Sequence, residues 1–322
     1  MQPKILFVTD FPAAADFGRE LAPAGYELVV AEARGEEYQA ALADAEYLVG
    51  FVDKLVDPAL FAAAPGLKLI QLLSAGYDNA DVEAARRAGV PICNNGGANS
   101  VAVSEHAILL MLAVSRQLVK QHTNVAAGRW RGNAAPTVNE LRGKTLGIVG
   151  LGSIGKKTAR LALAFGMNVI YADIRRLSEA EEDALGVRFR LFRELLREAD
   201  IVSVHTPLND STRHMIGAAE LAEMGPDAIL INTARGPVVD EAALIEALRS
   251  GVIAAAGLDV FDVEPTPGDN PLLALDNVTL TAHMAGPTFE SHKARVRNAF
   301  DNVQRVARGE APLWVIAELA DG

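Results

Sequence analysis

The sequence predicts an α/β protein built on two doubly wound parallel sheets. Three observations carry that prediction. Short apolar runs alternate with helical patterns over residues 4–93, and the alternation resumes at 145 and continues to 281. The second series opens on Gly150-Leu151-Gly152-Ser153-Ile154-Gly155, set between an apolar run and a helical pattern. A chain of 322 residues is also longer than one hydrophobic core ordinarily serves.

In chain order, the first strands are expected at 4–9, 27–31, 46–51, 68–73 and 90–93, with alanine-rich amphipathic helices between them. A long helix is expected from about 99 to 122, because Val103, Ala107, Leu110, Met111 and Val114 recur at spacings of three and four. Asn99 or Ser100 can cap it. A polar stretch, 124–143, reads as an extended arm, with Trp130 between two arginines suiting a rim, a subunit contact or a solvated loop. Six further strands are expected at 145–150, 168–173, 200–205, 228–232, 254–259 and 278–281. Both domains are thus Rossmann-like. A last helix, 288–307, lies beyond the second sheet. If it returns to the first domain, that domain is discontinuous, 1–98 plus 288–322, and 99–287 forms the other.

The glycine run has a physical reading as a dinucleotide site. Gly150 permits a tight turn, Gly152 lets backbone approach a pyrophosphate, and Gly155 lets the helix pack closely on its strand. Ser153 and Ile154 open that helix, whose free N–H groups point at phosphate. Asp173 closes the next strand, 18 residues after the last glycine. A carboxylate there binds ribose hydroxyls and repels a 2′-phosphate, so NAD (NADH) is expected over NADP. Arg175-Arg176 just beyond could hold a phosphate and weighs the other way.

The formal charge of −11 and pI near 5.1 argue against nucleic acid and anionic lipid as partners. An anionic substrate would then need a local cation. No stretch approaches a membrane span and the N-terminus shows no basic region before an apolar one, so a cytoplasmic, soluble protein is expected. The single cysteine, Cys93, permits no internal disulfide and reads as a small packed hydrophobe.

Ligands of open parallel sheets bind beyond the carboxyl ends of the strands, so those ends are where chemistry is sought. Three of them carry Arg235, then Asp259, Asp262 and Glu264, and then His283. Hydride arriving at a carbonyl carbon leaves charge on oxygen, and histidine is the side chain suited to protonate it near neutral pH. A carboxylate beside the ring, here Glu264, favours the imidazolium. Arg235 can grip a carboxylate in bidentate fashion and polarise the neighbouring carbonyl. Singly, each has a plainer explanation: a salt bridge, a turn, a structural histidine. No cysteine or second histidine lies near the acidic group at ligand spacing, so no metal is expected. His106, beside Glu105, is expected to be a hydrogen-bonded interior residue, and His122, His214 and His292 are expected to be exposed.

Taken together, these segments resemble the D-isomer-specific 2-hydroxyacid dehydrogenase family over essentially the whole chain. The matching text is Leu73-Ser74-Ala75-Gly76-Tyr77-Asp78-Asn79, Ala102-Val103-Ser104-Glu105-His106, the glycine run, His205-Thr206-Pro207-Leu208, Asn232-Thr233-Ala234-Arg235-Gly236, Asp259-Val260-Phe261 with Glu264-Pro265, and His283-Met284-Ala285-Gly286. The resemblance implies a flavodoxin-like substrate domain, a homodimer, and reduction of a small anionic 2-oxo acid to a D-2-hydroxy acid. Glyoxylate, hydroxypyruvate and pyruvate are the first candidates. It implies Arg235, Glu264 and His283 as the catalytic set, and backbone amides of Ser74, Ala75 and Gly76 as holders of the substrate carboxylate. It also implies cofactor contacts from Val103, Thr206, Pro207, Thr233, Ala234, Arg235, Asp259, His283 and Gly286. Formate-type relatives carry glutamine where Glu264 stands, and phosphite-type relatives carry lysine where Ala75 stands, which counts against both activities. The scaffold also serves non-enzymatic, NAD-sensing interaction proteins. Two departures, Asn94-Asn95-Gly96-Gly97 and Pro287-Thr288-Phe289, leave the substrate side chain open; Phe289 either lines the pocket or packs the first turn of the last helix.

Overall fold

The computed structural model describes residues 2–130 and 138–320. The chain divides into two compact units, Met1–Asn99 with Pro287–Gly322, and Ser100–Gly286.

In the first unit, β1 (Lys4–Val8), α1 (Pro12–Leu21), β2 (Glu27–Ala31), α2 (Glu36–Leu42), β3 (Tyr47–Gly50), α3 (Pro58–Ala63), β4 (Leu69–Leu72), α4 (Val82–Ala88) and β5 (Ile92–Cys93) follow in order. The strands pair in parallel in the order β2-β1-β3-β4-β5, which is the flavodoxin-like arrangement. Every residue of β3 and β4 is buried, as expected of strands covered by helices on both faces. Helix starts follow local chemistry. Pro12 stands in the first turn of α1, and the carboxylates of Asp57 and Asp81 accept hydrogen bonds from Leu60 N and Ala84 N at 2.8 Å each.

The second unit begins with α5 (Ser100–Ser115) and α6 (Leu118–Ala126). The single helix expected over 99–122 is therefore broken. Gln117 adopts φ +49°, and the two axes diverge by 62°. The cause is packing: α5 buries Ala107, Leu110, Met111 and Val114, whereas α6 buries nothing that would keep it in line. Of the 124–143 arm, residues 131–137 lie outside the described residues.

There follow β6 (Thr145–Val149), α7 (Ser153–Ala164), β7 (Asn168–Ala172), α8 (Glu179–Leu185), β8 (Arg188–Phe189), α9 (Phe192–Glu198), β9 (Ile201–Val204), α10 (Ala218–Met224), β10 (Ile229–Asn232), α11 (Glu241–Ser250), β11 (Ala255–Leu258) and β12 (Val278–Leu280). The sheet order is β12-β11-β10-β9-β6-β7-β8, a doubly wound sheet that reverses between β6 and β9. It has seven strands rather than the six expected, because two-residue β8 is too short to leave a pattern.

The last helix, α12 (Phe289–Ala307), belongs to the first unit. Its residues Val296, Ala299, Phe300 and Val303 pack with Ile5, Phe7 and Phe17 on one face of the β1–β5 sheet. Cys93 is wholly buried in that cluster, and burial pushes its thiol up to about 12. Asn302, also wholly buried, donates to Gln71 Oε1 at 2.7 Å and accepts from Leu313 N at 2.8 Å. His292 is not exposed as expected: it sits half-buried near the rings of Phe11 and Phe51, where burial and neighbouring Arg295 lower its pKa.

Candidate active site

Strand register brings the chemistry of the second unit together. Asn232 pairs with Leu258, and Leu258 with Leu280, so three loops leave the sheet from one row. The first carries Arg235. Asn232 holds that loop, donating through Nδ2 to Arg235 O at 2.9 Å and accepting from Ala234 N at 3.0 Å. Gly236 then lies against the second loop so closely that a Cβ there would stand 2.0 Å from the backbone carbonyl of Phe261. Close contact between these loops therefore requires glycine.

The second loop carries Glu264. Its Oε1 accepts from Phe261 N at 3.0 Å, and its Oε2 lies 2.7 Å from His283 Nδ1 on the third loop. A carboxylate can only accept, so Nδ1 carries a proton. Burial of Glu264 opposes its charge. The hydrogen bonds from His283 and Phe261 N and the charges on His283 and Arg235 outweigh it, holding the carboxyl below its usual pKa. The pair remains accessible, with the His283 side chain 48% exposed and that of Glu264 35%.

His283 sits at φ +54°, a conformation uncommon for a side-chain-bearing residue. Asp259 secures it from below. His283 N donates to Asp259 O at 2.7 Å, while Met284 N and Ala285 N donate to the two carboxylate oxygens at 2.8 Å each. Thr281 Oγ1 adds a fourth donor at 2.6 Å. Asp259, expected among the cofactor contacts, is wholly buried with both oxygens engaged in this loop. The sequence reading passed over Asn232 and Thr281. Each is a polar residue at or just past a strand end, which is the signal that could have marked them.

At the other end of the row, the glycine run adopts the geometry its spacing implies. Gly150 has φ +94°, and a Cβ there would meet the backbone of His205 at 2.9 Å. A Cβ on Gly155 would stand 2.3 Å from Gly150 O. A Cβ on Gly152 would meet nothing, so protein packing does not account for that glycine. No side chain caps α7 at Gly152, and Ser153 and Ile154 form its first turn. The Asp173 carboxylate accepts from Leu151 N at 2.6 Å and Arg175 N at 2.9 Å, beside the turn. Arg176 is directed elsewhere: its guanidinium lies over the Phe189 ring at 5.1 Å and its Nε donates to Glu182 at 3.3 Å.

The hydroxyls of Thr206 and Thr233, past the ends of β9 and β10, are buried and have no hydrogen-bond partner among the described residues. Open space at Gly152, an uncapped α7 and two orphaned hydroxyls fit a dinucleotide laid across these strand ends. His205, beside Thr206, is held by burial at a pKa of about 4 and is neutral at pH 7. Val103 and Gly286 are buried, Ala234 is half-buried and Pro207 is exposed.

In the first unit, Ser74, Ala75 and Gly76 follow β4. Ser74 donates through its hydroxyl to Gly76 O at 2.7 Å, and its carbonyl accepts from Asn95 N at 3.0 Å. The departure at Asn94–Gly97 has a steric cause. The Trp314 indole lies on Gly96, where a Cβ would come within 2.4 Å of the ring. The exposed ring of Phe289 meets Phe17 edge-on at 5.1 Å.

Comparison with known proteins agrees with this architecture. Residues 108–285 match the family model described as D-isomer specific 2-hydroxyacid dehydrogenase, NAD binding domain. The chain is 40% identical to glyoxylate reductase of Aeropyrum pernix over 296 residues, covering 90% of this chain and 85% of that one. It superposes on a glyoxylate reductase from Paecilomyes thermophila with a TM-score of 0.87 at 34% identity, covering 98% and 99% of the two chains. A Sinorhizobium meliloti NADPH-dependent glyoxylate/hydroxypyruvate reductase, solved with NADP and malonate, gives a TM-score of 0.84 at 30% identity, covering 99% and 98%. The seven-stranded unit is thus a nicotinamide-dinucleotide domain, and the chain belongs to the D-isomer-specific 2-hydroxyacid dehydrogenase family of NAD(P)-dependent oxidoreductases.

Proposed function

We propose that this protein reduces the carbonyl of a small 2-oxo acid to a D-2-hydroxy acid with NADH, and that glyoxylate heads the substrates. The observation that carries the reading is the 2.7 Å contact of His283 with Glu264 beside Arg235, at the ends of neighbouring strands. A bound reduced nicotinamide supplies the hydride. His283 delivers its Nε2 proton to the carbonyl oxygen, and Glu264, accepting from Nδ1, keeps the ring oriented. Arg235 binds the substrate carboxylate and polarises the carbonyl. In the first unit, the N–H groups of Ser74, Ala75 and Gly76 donate no hydrogen bond among the described residues, which suits them to hold a carboxylate.

Asp173 beside the glycine turn, with Arg176 drawn onto Phe189 and Glu182, supports NADH over NADPH. A homodimer is supported by the apolar surface of the first helices of the second unit. Val101 and Leu109 on α5, and Leu118, Val119 and Val125 on α6, are about half exposed, and Trp130 beyond them is 79% exposed.

The decisive experiment supplies glyoxylate, hydroxypyruvate, pyruvate and bulkier 2-oxo acids to the purified protein with NADH or NADPH and follows cofactor absorbance. Turnover fastest with a small 2-oxo acid and NADH is expected. NADH binding without turnover of any 2-oxo acid would overturn the reading in favour of a dinucleotide-sensing protein.

A further inference from the structure

His106 lies on the buried side of α5, where packing alone would suit an apolar residue. Its side chain is 13% exposed, and its Nε2 lies 2.9 Å from Thr281 Oγ1 and 3.5 Å from Asp259 Oδ1. The direction of these contacts follows from proton counting. Thr281 has one hydroxyl proton, and the ionised Asp259 carboxylate, 2.6 Å away, can only accept it. The Thr281 oxygen is then an acceptor towards His106, so His106 carries its proton on Nε2. The result is a chain of donors, His106 to Thr281 to Asp259, ending on the carboxylate that also holds Met284 N and Ala285 N.

We propose that His106 and Thr281 are positioning residues that, through Asp259, hold the 283–285 backbone so that the His283 ring faces Glu264. The loop needs such support. His283 sits at φ +54°, which a non-glycine residue leaves unless its surroundings over-determine it. The wholly buried Asp259 carboxylate in turn needs its donors to offset the cost of burying a polar group. His106 reaches the 283–285 backbone through these intermediates. The role rests on the catalytic reading of His283 given above, but it can be tested without turnover.

The test reads the ring nitrogens of 15N-histidine-labelled full-length protein by NMR, without and then with NADH. At alkaline pH, His283 of the parent is expected as the Nδ1–H tautomer and His106 as Nε2–H. In Thr281→Val and His106→Leu, His283 should shift towards the commoner Nε2–H form. The kcat for 2-oxo acid reduction should fall tenfold or more in Thr281→Val and several-fold in His106→Leu, with KM changed less than threefold. Thr281→Ser and His106→Gln, which keep a hydroxyl and an N–H donor, should restore both readouts. His106→Leu leaves Asp259 all its direct donors, so it keeps the test open if Thr281→Val does not fold. An unchanged His283 tautomer in folded His106→Leu, or failure of the conservative variants to restore it, overturns the proposal. A parent that turns over no 2-oxo acid, yet shows the tautomer shift, retires the functional reading and leaves the positioning role standing.

Discussion

At the scale of single residues, the proposed chemistry rests on a carboxylate–imidazole pair and a strand-end aspartate. Glu264 touches His283 directly, and its charge is sustained by that contact. Glu264→Gln keeps the size of the side chain but replaces the carboxylate with a weaker, neutral acceptor for Nδ1, so kcat/KM for 2-oxo acid reduction should fall by about 10–100-fold. A kcat/KM equal to the parent's would remove Glu264 from its role. Asp173 is tested by its discrimination between cofactors. Asp173→Ala loses the hydrogen bonds to ribose and the repulsion of a 2′-phosphate, so the NADH/NADPH ratio of kcat/KM should narrow by about 10–100-fold. An unmoved ratio would place the ribose elsewhere.

At the scale of elements, register and packing decide what meets. The pairing of Asn232 with Leu258 and of Leu258 with Leu280 sets three loops in one row, and Gly236 lets two of them touch. Alternating apolar runs announced these strands, and their ends were misjudged by a residue or two because fraying and loop entry leave no hydrophobic signal. The long first helix of the second unit was misjudged for a different reason. Its pattern continues past Ser115 in composition, but among the described residues nothing on α6 is buried, and Gln117 turns the chain instead. A buried polar link ties elements of the first unit: Asn302 on α12 serves both Gln71 on β4 and the backbone of Leu313. Asn302→Leu leaves those groups buried and unpaired, and should cost about 2–4 kcal/mol in chemical denaturation, with the loss confined to the transition that unfolds this unit. A loss below 1 kcal/mol would mean water replaces the amide.

At the scale of the whole molecule, two parallel-sheet units share one chain that crosses between them twice. The proposed self-association is tested here. Leu118→Asp with Val119→Asp, on the wholly surface-lying α6, should convert a dimer into a monomer in sedimentation velocity while NADH binding persists. A parent that already sediments as a monomer would end that proposal.

By itself, the sequence determined the fold class and the dinucleotide turn, and it singled out Arg235, Glu264 and His283, on which the proposed function rests. All are written locally, in hydrophobic period, in glycines that steric contact demands, and in polar residues placed just past strand ends. Only the tertiary structure decided which of these side chains touch, that Asp259 turns inward to hold the His283 loop, and that His106, some 150 residues away in the chain, joins it through Thr281. Such contacts depend on register and on the packing of a distant helix across the sheet. Those are properties of long-range geometry, and no local pattern encodes them.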